Sequence, residues 1–166
     1  MVGRFGTTLL KPSNAVDDAI PSIGEIGLNH FAPYLINRIS ARWNADMQEA
    51  LKSFDLTTAK MRTLAVLAIT PGMTANDLAL HTITEQSTMS RTLDAMEEQA
   101  LIKSRPRKGD LRVREVYLTD KGRQLFAQFW PMMYKRYSEV FAGVSETEYE
   151  TFISVLHKML QNVNQD

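Results

Sequence analysis

Residues 84–118 read TEQSTMSRTLDAMEEQALIKSRPRKGDLRVREVYL. Two periodicities meet in this stretch. Met89, Leu93 and Met96 recur at steps of four and three, which predicts one stripe of a helix over about residues 84–99. With Met89 set at zero and about 100° per residue, Leu93 and Met96 fall within about 40° of it. Ser87, Arg91 and Asp94 fall roughly 140–160° away, and Ser90 near about 100°. Met89, Leu93 and Met96 are therefore expected inside. Ser87, Ser90 and Arg91 project outward from the first turns, flanked by Gln86 and Thr88. Further on, Val113, Glu115 and Tyr117 alternate with Arg114, Val116 and Leu118. That period of two predicts a strand, and Lys108-Gly109-Asp110 supplies the turn of a hairpin.

The hairpin is strongly basic. Between residues 103 and 114, six cations (Lys103, Arg105, Arg107, Lys108, Arg112 and Arg114) face the single acid Asp110, a local charge of +5. The chain as a whole carries 19 Lys and Arg against 19 Asp and Glu. It is thus no polycation, and a nucleic-acid partner needs a local patch of this kind. Short hydroxyls and one arginine on a helix suit a major groove, where they reach phosphates or base edges. A helix N-terminus also favours phosphate. Each feature alone reads equally as a solvated polar face or a solvated charge run. Their combination, in this order, points to DNA.

Outward from this centre the chain is helical. Leu28, Phe31, Leu35, Ile39, Trp43, Met47, Leu51 and Phe54 mark a long amphipathic helix, with Asn29 as its N-cap and Pro33 in its first turn. Thr57 is the expected N-cap of a second helix to about residue 70, stopped by Pro71-Gly72. A short third helix, about residues 74–81, carries Leu78. After the strand, Thr119-Asp120-Lys121-Gly122 opens a long helix through Leu125, Phe129, Met132 or Met133, and Tyr137. Ser145 and Glu148 have capping-box spacing before a last helix with Tyr149, Phe152, Val155, Leu156, Met159 and Leu160.

Three short helices followed by a hairpin is the order of a winged helix-turn-helix. The expected fold is mainly α with a small β-wing, its N- and C-terminal helices forming a dimerisation domain. The long terminal helices carry apolar stripes that one small domain leaves uncovered, which predicts a partner chain. The expected divisions are an N-terminal arm at 1–27, a dimerisation helix at 28–54, a DNA-binding domain at 55–119 and C-terminal dimerisation helices at 120–166. Pro12 and Pro21, with little periodicity around them, make the arm an extended segment or a disordered tail.

Composition narrows the function classes. With 166 residues and 44% hydrophobic content, the chain is expected to bury a core without covalent staples. It has no cysteine, which excludes disulfides, thiolate catalysis, Fe–S clusters and a thiol redox switch. His30, His81 and His157 lack metal-ligand spacing. The chain holds no G-x-S-x-G, no G-x-G-x-x-G and no P-loop. No catalytic residue, metal or cofactor is expected. The longest apolar run, residues 64–69, is far shorter than the roughly 18 residues of a membrane span. No export signal is visible, so a soluble cytoplasmic protein without membrane contact is expected.

The residues above also carry a family resemblance. Asp77-Leu78-Ala79, then Ser87-Thr88-Met89-Ser90-Arg91, Asp94, and Met96-Glu97-Glu98-Gln99-Ala100-Leu101-Ile102 resemble the helix-turn-helix of the MarR (multiple-antibiotic-resistance regulator) family. Asp110-Leu111-Arg112, Val116, Leu118-Thr119 and Gly122 resemble the family's D-x-R…V-x-L-T-x-x-G wing signature. The resemblance spans most of 28–163, with its specific core at 56–122. It implies a homodimeric, ligand-responsive transcription regulator, usually a repressor, that binds a palindromic operator on double-stranded DNA.

By that resemblance Ser87, Thr88, Ser90 and Arg91 belong to the recognition helix and Asp110 and Arg112 to the DNA-binding wing; flanking Gln86 and the hairpin cations Arg105, Arg107 and Lys108 complete the expected DNA-binding set. Arg112 would enter the minor groove with Asp110 holding its guanidinium. A small aromatic or anionic effector would meet His30, Phe31, Tyr34, Arg38, Trp43 and Met61. Those aromatics read equally as core. Ala100 departs from the pattern, because glycine usually stands there, and a positive φ would strain alanine. Two other readings remain open: a winged-helix protein–protein adaptor, and a ligand-binding protein that has lost DNA binding.

Overall fold

The structure, a computed structural model, describes residues 23–163. The arm at 1–27 therefore lies mostly outside the described residues. The helices are α1 (Ile23–Ile26), α2 (Ala32–Leu51), α3 (Thr58–Ile69), α4 (Ala75–His81) and α5 (Gln86–Glu98). Strands β1 (Ile102–Arg107) and β2 (Asp110–Leu118) follow, then helices α6 (Asp120–Val140) and α7 (Glu146–Val163). Two compact units part between Asp46 and Met47, within α2.

The start of the long first helix corrects the sequence expectation. Leu28–His30 form a 3-10 turn, Phe31 is extended, and the α-helix begins at Ala32. The reason is Pro33. With Asn29 as N-cap, Pro33 would fall where the first intrahelical N–H is required. Starting at Ala32 puts it in the second position, where that N–H has no helical partner to lose. The Phe31 carbonyl then accepts from the amides of Tyr34 and Leu35.

The other helix starts follow local capping chemistry. Thr57 accepts from the Lys60 amide at the head of α3. Thr74 and Asp77 form a reciprocal capping box on α4. Thr119 accepts from the Gly122 amide on α6. Ser145 and Glu148 make the second capping box, at the head of α7.

The core of the second unit is one cluster. Leu51, Leu56, Met61, Leu64, Leu67, Leu78, Met89, Met96, Leu101, Ile102, Val116, Leu118 and Phe129 are all buried in it. It therefore draws on every element from the end of α2 to α6. Burial of each such side chain contributes about 1.5–3 kcal/mol before entropy is counted. The strands pair antiparallel, from Ile102 opposite Leu118 to Arg107 opposite Asp110, with an irregularity at Pro106/Arg107. Val116 also bridges Met73, tying the α3–α4 connection to the wing. Strand β2 starts three residues before the alternation that announced it, at Asp110.

Candidate nucleic-acid interface

Helix α5 turns two faces to two environments. Met89 and Met96 are 1% and 0% exposed, and Leu93 packs half-buried against the core. Gln86, Ser87, Thr88, Ser90 and Arg91 are all exposed. The apolar stripe holds the helix down, and the polar first turns are left outward as the periodicity requires.

The turn that aims this helix is held by hydroxyls. Buried Thr82 donates to the Leu78 carbonyl at 2.7 Å, Thr84 Oγ1 donates to the Thr82 carbonyl at 3.3 Å, and Arg62 reaches that same carbonyl from α3 at 3.0 Å. The cost is Ile83 at φ 53, a left-handed conformation that β-branched residues rarely adopt. This turn moves the start of α5 to Gln86, after N-cap Glu85, two residues later than the sequence reading.

The far end of α5 closes in a Schellman motif. The Ala100 amide bonds the Glu97 carbonyl, and the Leu101 amide bonds the Met96 carbonyl, each at 2.9 Å. Ala100 takes φ 54, so the strain anticipated for alanine here is present. Lys121 donates to the Gln99 carbonyl at 2.8 Å, which sets a cation at the negative end of the helix. The Glu97 carboxylate accepts from the Ser104 amide at 3.0 Å and so joins the helix to the wing.

In the wing, Arg105, Arg107, Lys108, Asp110 and Arg112 are all exposed. Lys108 and Gly109 form the two-residue turn, with Gly109 at φ 94. Asp110 opens β2 at the tip of the hairpin. Its carboxylate accepts from the backbone amide of Arg112 at 3.0 Å, because a carboxylate reaches the amide two residues on more readily than a long side chain beyond it. Asp110 therefore shapes the tip and leaves the Arg112 guanidinium to project.

Arg107 is engaged within the wing. Its Nε lies 2.6 Å from the Glu115 carboxylate, which also accepts from the Tyr117 hydroxyl at 2.8 Å. These two donors hold the Glu115 carboxyl below the usual carboxylate range, Arg107 first. Arg105 lies 5.8 Å over the Tyr117 ring.

Sequence reasoning missed three features. Asn76 hydrogen-bonds Gln86 across the helix-turn-helix at 3.0 Å. Glu85 accepts from Ser87 at 2.9 Å beside it. A groove of about 590 Å³ opens at the base of the wing, where Lys103, Arg105 and Arg123 approach Tyr117 and Phe126. Asn76 and Gln86 are ten residues apart in the chain and the groove residues lie further apart still, and periodicity carries no signal for such pairings.

The candidate effector residues fall in two units. His30 lies in the 3-10 turn and Phe31 beside it, while Tyr34, Arg38 and Trp43 lie on α2. The Arg38 guanidinium sits 5.7 Å over the Tyr34 ring. Met61 is buried in the core of the second unit. Among the described residues no group of three His, Asp or Glu could hold a metal, and no helix is long and apolar enough to cross a membrane.

Residues 54–112 match the family model described as MarR family. Among solved structures, a MarR family transcriptional regulator from Silicibacter pomeroyi is similar at 37% identity, with a TM-score of 0.82, over 88% of this chain and 99% of that one. A Staphylococcus aureus MepR–DNA complex is similar at 26% identity and a TM-score of 0.72, over 82% of this chain and 99% of that one. Among characterised relatives, the HTH-type transcriptional repressor IacR of Pseudomonas putida is 24% identical over 143 residues, 86% of each chain.

Proposed function

The chain belongs to the MarR family of transcriptional regulators, and on that premise we propose that it is a cytoplasmic, homodimeric repressor that binds a palindromic operator and releases it to a small effector. One observation carries the reading: a single helix buries Met89 and Met96 while presenting Gln86, Ser87, Thr88, Ser90 and Arg91 to solvent. A relative named as a repressor and a neighbour solved on DNA support it.

In this reading residues 28–54 and 120–166 hold two copies together, and residues 55–119 bind DNA. Two recognition helices enter successive major grooves about 34 Å apart. Arg91 pairs with a base edge, and the short hydroxyls take phosphates or neighbouring edges. Arg105, Lys108 and Arg112 carry the wing to the flanking backbone and minor groove, with Arg107 and Asp110 shaping it. Affinity then falls steeply with salt although the chain is neutral, because the contact surface is locally basic.

The effector is an aromatic or anionic small molecule. His30, Phe31, Tyr34, Arg38, Trp43 and Met61 are its first candidate residues. The cationic, aromatic-walled groove at the base of the wing offers a second set of the same chemistry. An effector acts only if it binds the DNA-incompetent arrangement more tightly than the competent one.

The test is selection of bound duplexes from a randomised library at two salt concentrations. Enrichment of a palindrome with half-sites about one helical turn apart, stronger at low salt, is expected. No enrichment at low salt overturns the reading in favour of a protein–protein adaptor or a ligand-binding protein that has lost DNA binding.

A further inference from the structure

We propose that Asn76 is a specificity-positioning residue, and that the Asn76–Gln86 pair reads an adenine in the major groove. This deepens the DNA-binding reading above and rests on it.

The pair lines a polar notch of about 390 Å³ between the first turns of α4 and α5. Its walls are Ala75 and Asn76 on one side, and Glu85, Gln86, Ser87 and Ser90 on the other. Gln86 Nε2 donates to Asn76 Oδ1 at 3.0 Å. Without DNA the two serine protons are engaged locally: Ser87 Oγ donates to Glu85 at 2.9 Å, and Ser90 Oγ donates to the Gln86 carbonyl at 3.1 Å. Donors for a base in this notch therefore come from the two amide side chains.

An amide has one acceptor oxygen and two N–H donors. Asn76 takes one N–H of Gln86. What remains is a carbonyl oxygen beside a single N–H. Adenine presents the complement in the major groove, an N6 donor beside the N7 acceptor. Guanine presents two acceptors, O6 and N7, and meets the Gln86 oxygen with a repulsive one. A free glutamine can turn its amide end for end or swing away. Held by Asn76, it arrives at the groove already oriented, and the contact loses less rotamer freedom. Glu85 adds discrimination of a second kind, since a carboxylate at this edge disfavours a close phosphate and keeps the notch for bases.

The experiment starts from the palindrome selected by the wild-type protein from randomised duplexes. Binding is then measured to that duplex and to duplexes with each base pair changed in turn, with Gln86→Ala marking the position that Gln86 reads. The expected result is adenine at that position. Asn76→Ala lowers the adenine-over-guanine preference there about fivefold or more, while affinity for unrelated duplex changes little. Asn76→Asp keeps the acceptor and retains the preference, although its charge lowers affinity for all duplexes. Asn76→Ser, too short to reach Gln86, repeats the loss and guards against misfolding of one variant. A base other than adenine at the Gln86 position, or an unchanged preference in folded Asn76→Ala and Asn76→Ser, overturns the inference while leaving DNA binding intact. A wild-type protein that enriches no sequence overturns the DNA-binding reading itself.

Discussion

A Cβ added to Gly122 would lie 2.1 Å from the carbonyl oxygen of Leu101. The first turn of α6 is thus pressed directly onto the backbone that links the recognition helix to the wing. The Thr119 amide donates to that same carbonyl at 3.1 Å, while its hydroxyl donates to the Ala100 carbonyl at 2.6 Å and accepts from the Gly122 amide at 3.0 Å. Backbone meets backbone here, so no side chain can swing aside. Gly122→Ala is expected to destabilise the fold by roughly 2–3 kcal/mol, read as a lower urea midpoint with an unchanged denaturant slope.

Ala100→Gly should act in the opposite direction. Alanine at φ 54 carries a left-handed penalty of roughly 1–2 kcal/mol, partly offset by the greater freedom of glycine in the unfolded chain. A net gain of about 0.5–1 kcal/mol is expected, with DNA affinity unchanged. A thermal unfolding comparison decides it, and a lowered midpoint would count against the Schellman geometry.

Arg112 and Arg107 are predicted to differ although both are wing arginines. Arg112 projects, while Arg107 is ion-paired to Glu115. Arg112→Ala should weaken operator binding and reduce the salt slope by about one unit, with the dimer still folded. Arg107→Ala should leave the slope closer to wild type and loosen the strand pairing. Normal operator affinity in the Arg112 variant would remove the wing from the interface.

Two capping boxes set an acid limit on stability. The hydroxyl of Thr74 and then its amide hold Asp77 below the usual carboxylate range, and Ser145 does the same for Glu148. A carboxyl whose folded pKa is depressed contributes stability that is present above its unfolded pKa, near about 4. That stability is lost as pH falls through the folded value. Urea midpoints should therefore be level from about pH 7 to about pH 5 and fall below about pH 4. Glu148→Gln should shrink this fall. An equal fall in Glu148→Gln would assign it to other groups.

The apolar side chains left exposed along α7 are expected to meet a second copy. Val155 and Leu160 are 46% and 54% exposed, on a helix whose Tyr149 and Phe152 pack on Phe141. Val155→Glu combined with Leu160→Glu should give a folded monomer by sedimentation, with affinity for the palindrome falling toward that for a half-site. A dimer of wild-type strength would place the interface elsewhere.

How much of this was legible beforehand varies with the range of the interactions. The stripe of Met89, Leu93 and Met96 and the alternation through Leu118 announced their elements, because burial on one face writes a period into the chain. Thr57, Thr119 and Ser145 announced helix starts, because a cap is satisfied within three residues. The helix start near Pro33 lies two positions later than the Asn29 cap predicts, since a proline tolerates a first turn without saying which residue begins it. The bond from the Asp110 carboxylate to the Arg112 amide has no signature in spacing alone, which does not distinguish a side chain from the amide of the same residue.

The sequence by itself determined the element order, the buried and outward faces of α5, the basic hairpin and the family membership that these residues carry. Each rests on local periodicity, capping or composition, which a linear chain expresses directly. Only the tertiary structure decided that Asn76 bonds Gln86 and that Gly122 admits the Leu101 carbonyl. These depend on how three helices and a hairpin pack around Leu64, Leu78 and Val116. Contact across a packed core follows from the positions of whole elements, and no spacing along the chain encodes it.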